Sequence, residues 1–103
     1  MPTIRTTISI DGLTADEVAN SIDDLIEEFA ARPWLLKSEA GWDAQCGRLV
    51  VIIESEGDDL RVQGGDVGGI LDEVSDCVIA CIHFEGERIR FHVDEAAFIP
   101  PSQ

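Results

Sequence analysis

The firmest structural instruction in this chain is a helix start, written in Leu13-Thr14-Ala15-Asp16-Glu17-Val18. Thr14 followed three residues later by Glu17 is a capping box, in which each side chain satisfies the other's backbone N–H. Leu13 before the cap and Val18 four positions into the helix can close as a hydrophobic staple. Val18, Ile22, Leu25, Ile26 and Phe29 then recur at helical spacing, so the pattern predicts a helix over 14–32 with one apolar stripe. Pro33 ends it by disfavouring helical backbone at the residue before it. At ~1.5–3 kcal/mol per large side chain, burying that stripe contributes on the order of 10 kcal/mol before entropy. Such a helix needs a surface to cover.

The flanking segments supply one. Ile4, Ile8 and Ile10 alternate with Arg5, Thr7 and Ser9, a period of two that predicts a half-buried strand over 3–10 before Asp11-Gly12 turns the chain. Residues 38–45 and 48–56 read as two antiparallel strands turning near Cys46-Gly47. The run Leu49-Val50-Val51-Ile52-Ile53 suits a central strand covered on both faces. Trp42 shares a face with Ala40 and Ala44 and is expected to pack. Gly64, Gly65, Gly68 and Gly69 weaken helix formation by ~1 kcal/mol each. They leave a loop over 57–65 and a helix over 66–76, with Asp66 near its cap.

Residues 77–84 and 88–94 read as a hairpin closed by a type II′ turn at Gly86-Glu87. Its register sets Ile82 opposite Phe91 and Cys81 opposite His92. Residues 95–103, ending in Pro100-Pro101, are expected to form an extended tail. The predicted order is β-α-β-β-α-β plus a C-terminal edge strand, in one domain spanning 1–103. That is a ferredoxin-like α+β sandwich, one sheet with two helices on one face. Val18, Ile22, Leu25, Phe29, Ile52, Ile82 and Phe91 are expected in its core.

The composition narrows the function classes. Twenty-one acids face seven bases, a formal charge of −14 on 103 residues, while 45% of the residues are apolar. That much apolar character argues for a folded chain rather than a disordered one. Phosphate backbones and anionic membranes would repel it, and no two bases are adjacent, so direct nucleic-acid and membrane binding are not expected. No signal-peptide pattern follows Met1-Pro2-Thr3-Ile4-Arg5. The cysteines, Cys46, Cys77 and Cys81, are an odd number at spacings unlike a disulfide framework. Reduced thiols in a cytoplasmic protein are the expectation.

The candidate chemistries are thin. Cys81 opposite His92, with Arg90 nearby, has the makings of an activated thiol, but no oxyanion donor or orienting third group accompanies it. Ordinary packing of a small apolar thiol accounts for the same residues. Cys77 and Cys81 lie ~13 Å apart on a strand, so only Cys81, His83 and His92 could converge on a metal, one ligand short of a closed zinc site. Neither a metal nor a cofactor is expected. Gln63-Gly64-Gly65-Asp66-Val67-Gly68-Gly69 matches no phosphate-binding fingerprint and sits among acids. Glu54, Glu56, Asp58 and Asp59 lack the ligand spacing of a calcium loop.

Two functional readings remain. Six carboxylates and no base lie between Asp16 and Glu28. The face carrying Asp16, Asp23, Asp24, Glu27 and Glu28 lacks the Lys or Arg at i+4 that usually laces a solvated helix. A non-enzymatic binding or inhibitory domain that docks this face onto a basic protein is the first reading. The alternative is a small ligand-binding domain or enzyme that takes an anionic molecule on an open sheet face through Arg5, His83, Arg90 and His92. All four would more simply pair with neighbouring acids. The sequence leaves homo-oligomerisation open.

Overall fold

The structure is a computed structural model and describes residues 1–85 and 88–100. Its elements run β1 (Thr3–Asp11), α1 (Ala15–Ala30), β2 (Leu35–Asp43), β3 (Arg48–Glu56), α2 (Asp66–Cys81) and β4 (Arg90–Ile99). The strands form one antiparallel sheet in the order β2-β3-β1-β4. Each helix thus connects two parallel strands that leave room for a third between them, the ferredoxin-like split β-α-β arrangement.

Helix α1 begins as its sequence dictates. Thr14 Oγ1 accepts from the Glu17 N–H at 3.1 Å, and Glu17 Oε1 accepts from the Thr14 N–H at 2.8 Å. The turn before it depends on Gly12, whose φ of 97° favours glycine; an added Cβ would also meet the Arg88 carbonyl. Val18, Leu25 and Phe29 are buried, and Ile22 packs half-buried beside them. Ile26, at the margin of the stripe, is exposed.

The alternation along the strands decides which face they bury. Ile4, Thr6, Ile8 and Ile10 of β1 and Leu49, Val51, Ile53 and Ser55 of β3 are buried beneath the helices. Trp42 and Ala40 extend that core on β2, and Phe91 and Val93 on β4. The expectation that β3 is covered on both faces fails. Both helices lie on the same face of the sheet, so Val50 and Ile52 are only half-buried on the open side, and Ile52 is not a core residue. Ala44 sits in the exposed β2–β3 turn.

The largest departure from the sequence reading is at residues 77–84. The expected hairpin strand is instead the second half of α2, which runs unbroken to Cys81. Val67, Ile70, Val74, Cys77 and Val78 fall at helical spacing and are buried together. Hence the fifth strand is absent among the described residues, and the Cys81–His92 pairing does not form. His92 lies across from Ser9 on β1, while Cys81 Sγ contacts the Asp24 carbonyl on α1 at 3.9 Å. The turn assigned to Gly86-Glu87 lies outside the described residues. Residues 95–99, expected as tail, continue β4 and pair with β1.

Gly68 explains how α2 tolerates its glycines. A Cβ there would lie 1.8 Å from the Val62 carbonyl oxygen, so only glycine lets the 57–65 loop lie against the first turn of the helix. That loop is held further by Asp66, whose carboxylate accepts from the N–H groups of Asp58 and Asp59.

Candidate functional site

The two helices carry ten carboxylates and no basic residue. Asp16, Glu17, Asp23, Asp24, Glu27 and Glu28 lie on α1, and Asp66, Asp72, Glu73 and Asp76 on α2. Four of the seven bases, Arg5, Lys37, Arg48 and Arg90, lie on the four strands. The fold therefore separates charge: an acidic helical layer over a sheet of mixed sign.

Helix periodicity places Asp16, Asn20, Asp23 and Glu27 directly opposite the buried face of α1. Asp24 and Glu28 occupy the flank turned toward α2. Asp16, Asp23, Asp24 and Glu27 are exposed, and Glu28 is half-exposed. Glu27 and Glu28 occupy the last turn of α1, where the helix dipole disfavours negative charge, and neither helix has a base in its last turn. Asp16, Glu17 and Asp66 favour their helices from the first turn, whereas Glu27 and Glu28 do not.

Arg32, four residues after Glu28, corrects the expectation that this face lacks i+4 bases, which holds for Asp16, Asp23, Asp24 and Glu27 but not for Glu28. Arg32 ion-pairs with Glu28 at 2.9 Å, donates to the Glu28 carbonyl, and reaches Glu73 on α2. These two carboxylates hold the guanidinium firmly protonated. Glu28, expected on the docking face, is thereby partly committed to the α1–α2 seam.

The open sheet face gathers three of the four residues of the anion-binding reading. Arg5 pairs with Glu54 at 3.1 Å, and His92 Nε2 lies 3.0 Å from Asp11 Oδ2. Arg90 begins β4 across from Asp11. His83 does not join them; it is exposed in the connection from α2 to β4. Two shallow depressions, about 310 and about 210 Å³, share Glu39 and Ile52. The smaller is walled by Arg5, Lys37 and Glu54, so an acid stands beside its cations.

One cluster on this face was not legible in the sequence. Ser9 and His92 face each other across β1 and β4, and Ser9 donates to Asp94 at a register shift in β4. Asp11 joins His92 to Arg48, whose Nε lies 3.6 Å away. A serine, a histidine and two carboxylates are all present, yet they do not form a nucleophilic site. Ser9 is 1% exposed, and its hydroxyl is spent on Asp94. Long-range strand pairing creates the cluster, and no local spacing announces it.

Cys77 and Cys81 are poorly suited to nucleophilic work. Burial pushes the Cys77 thiol up to about 11, and burial together with Glu28 and Asp24 raises that of Cys81. Among the described residues, no three His, Cys, Asp or Glu side chains are grouped to hold a metal ion. No helix among them is long and apolar enough to cross a membrane.

No protein-family model, curated protein or solved structure matches this chain. A ferredoxin-like fold hosts many unrelated functions, so the architecture alone does not select one.

Proposed function

We propose that this chain is a cytoplasmic, non-enzymatic binding or inhibitory domain that docks its acidic helical layer onto a basic protein. The observation that carries this reading is the complete absence of bases from two helices bearing ten carboxylates. Intrahelical i+4 partners would have cost nothing in packing, because Asp16, Asp23, Asp24 and Glu27 are all exposed. A partner surface rich in Lys and Arg would relieve the repulsion among these acids. It would also steer the encounter, which is where complementary charge acts most strongly.

Asp16, Asp23, Asp24 and Glu27 form the centre of the proposed surface, with Glu28 at its edge beside Arg32. Membranes and nucleic acids are excluded as partners of this face by the same charge. Affinity capture with the wild-type chain and with an Asp23→Asn, Asp24→Asn, Glu27→Gln variant tests the reading. A partner held by the wild type at low salt, released at high salt and missed by the variant supports it. A partner captured equally by both removes the helical layer from consideration.

The open-face alternative has weaker support. Arg5 and His92 are already engaged by Glu54 and Asp11, and His83 lies on another element.

A further inference from the structure

Beside the Arg32–Glu73 link, a depression of about 270 Å³ lies between Trp34, the end of β3 at Ser55 and Glu56, and the first turns of α2. It is smaller than the ~300–1,000 Å³ of ordinary small-molecule sites and has room for one side chain. Three carboxylates line it, those of Glu56, Asp66 and Glu73. Arg32 engages Glu73, and Asp66 accepts from the N–H groups of Asp58 and Asp59. Glu56 is exposed and has no ion pair among the described residues. The start of α2 is closed to anions. The N–H groups of Asp66 and Gly68 are spent on the Asp59 and Arg61 carbonyls, and the Asp66 carboxylate already answers the helix dipole.

Three observations mark the depression as incomplete. Ser55 lines it at 4% exposure, and its hydroxyl has no hydrogen-bond partner among the described residues, where a buried hydroxyl ordinarily finds one. Trp34 stands 57% exposed at its wall. Gly69 is the third. Gly64 has a positive φ, and a Cβ at Gly65 or Gly68 would collide with the Arg61 or Val62 carbonyl oxygen. Nothing lies within 4 Å of a Cβ at Gly69, so the fold has no need of glycine there, where it weakens the helix. Its missing side chain keeps the depression open.

We infer that this depression is the anchor site for one arginine side chain of a basic protein partner. The inference rests on the basic partner proposed above and adds one specific contact to a long-range attraction. A planar guanidinium stacks on an indole while its five N–H donors serve several acceptors, here Glu56 and Glu73 with the Ser55 hydroxyl at the floor. A lysine ammonium offers three donors and no plane. Exposed acids on the helices set how fast a partner arrives, whereas an arginine seated in a pocket sets how long it stays.

Titration of the full chain with the peptide acetyl-Gly-Arg-Gly-amide, followed by NMR, tests the site without the partner. The Trp34 indole N–H and the amides of Ser55 and Gly69 are expected to shift together. The same peptide with citrulline, which keeps the shape and removes the charge, should leave them in place, and a lysine peptide should bind several-fold more weakly. Gly69→Leu should fill the depression and weaken binding about tenfold. Its thermal midpoint should hold or rise, because leucine is a strong helix former and its Cβ meets nothing. Trp34→Ala, at an exposed position, is the second probe and should weaken binding as read at Ser55 and Gly69. The site is overturned if these positions do not shift, if the citrulline or lysine peptide binds as well as the arginine one, or if either variant binds undiminished. The Asp23→Asn, Asp24→Asn, Glu27→Gln variant changes no residue of the depression, so failure of the peptide and failure of the helical layer are read apart.

Discussion

Arg32 Nε donates to the Glu73 carboxylate across the α1–α2 seam, forty-one residues away, while its Nη1 caps the Glu28 carbonyl. A single cation, placed just past the last turn of α1, neutralises two acids on two elements. Neither helix has a base within its own last turn, and Arg32 meets the C-terminal end of α1 from just beyond it. Arg32→Ala leaves Glu28 and Glu73 facing each other with no cation and returns the Glu28 carbonyl to water. Thermal unfolding should shift down by several degrees. Lysine at this position should recover only part of the loss, because it cannot bridge both carboxylates in a planar fork.

A second prediction contrasts two threonines. Thr14 completes the capping box, and Thr14→Ala should cost ~1 kcal/mol. Thr6 is fully buried on β1, and its hydroxyl finds no partner among the described residues. Thr6→Val keeps the shape and removes a desolvated polar group, so it should stabilise the fold by about 1 kcal/mol. Chemical denaturation of the two variants measures both signs. Two losses of equal size would mean that Thr6 is satisfied by an ordered water.

Much of this fold was readable because several local signals agreed. The cap at Thr14, the staple and the apolar stripe all specified α1, and strict alternation gave β1 its correct buried face, whereas the unbroken apolar run of β3 concealed which of its faces is covered. Residues 77–82 failed because Cys-Val-Ile-Ala-Cys-Ile satisfies both a period of two and helical spacing. Packing against β1, β4 and α1 decided for the helix, which local pattern could not foresee. The same ambiguity created the illusory Cys81–His92 pair. The buried parity of Phe91 and Val93 survived because alternation within a strand does not depend on its partner. The acidic face was legible residue by residue. Its extension onto α2, and the Ser9–Asp94 and Asp11–His92 links, depend on tertiary placement and were not.

The thiols give a third test. Cys46 is exposed, whereas Cys77 is buried with its thiol raised to about 11, and that of Cys81 is raised as well. Alkylation near neutral pH should modify Cys46 first and leave Cys77 unreacted unless the chain unfolds. Because Cys77 ionises at lower pH in the unfolded chain than in the folded one, its contribution to stability is complete below the ordinary thiol range. It is lost as pH rises toward 11. Mass spectrometry of the labelled chain over time checks the order. Early labelling of Cys77 would show that α2 opens locally.

A fourth prediction concerns the loop that leads into α2. The Arg61 guanidinium beside Asp59 holds that carboxyl down at about 2. A carboxyl depressed in the folded state stabilises above its unfolded value and loses that contribution as pH falls from about 4 to about 2. Arg61→Ala should return Asp59 toward the ordinary carboxylate range, as read by an NMR titration. It should also flatten the loss of stability between about pH 4 and about pH 2, because the variant no longer has that contribution to lose. An unchanged Asp59 titration would mean that the Arg61 backbone N–H alone sets it.

The association rate with the captured basic partner, followed from low to high salt, tests the central claim most directly. Wild-type association should slow steeply as salt screens the acidic layer. In the Asp23→Asn, Asp24→Asn, Glu27→Gln variant the rate at low salt should fall and its salt dependence flatten. Thermal stability should hold or rise slightly as like charges are removed. Association that is insensitive to salt, with the variant binding as fast and as tightly as the wild type, would contradict the account.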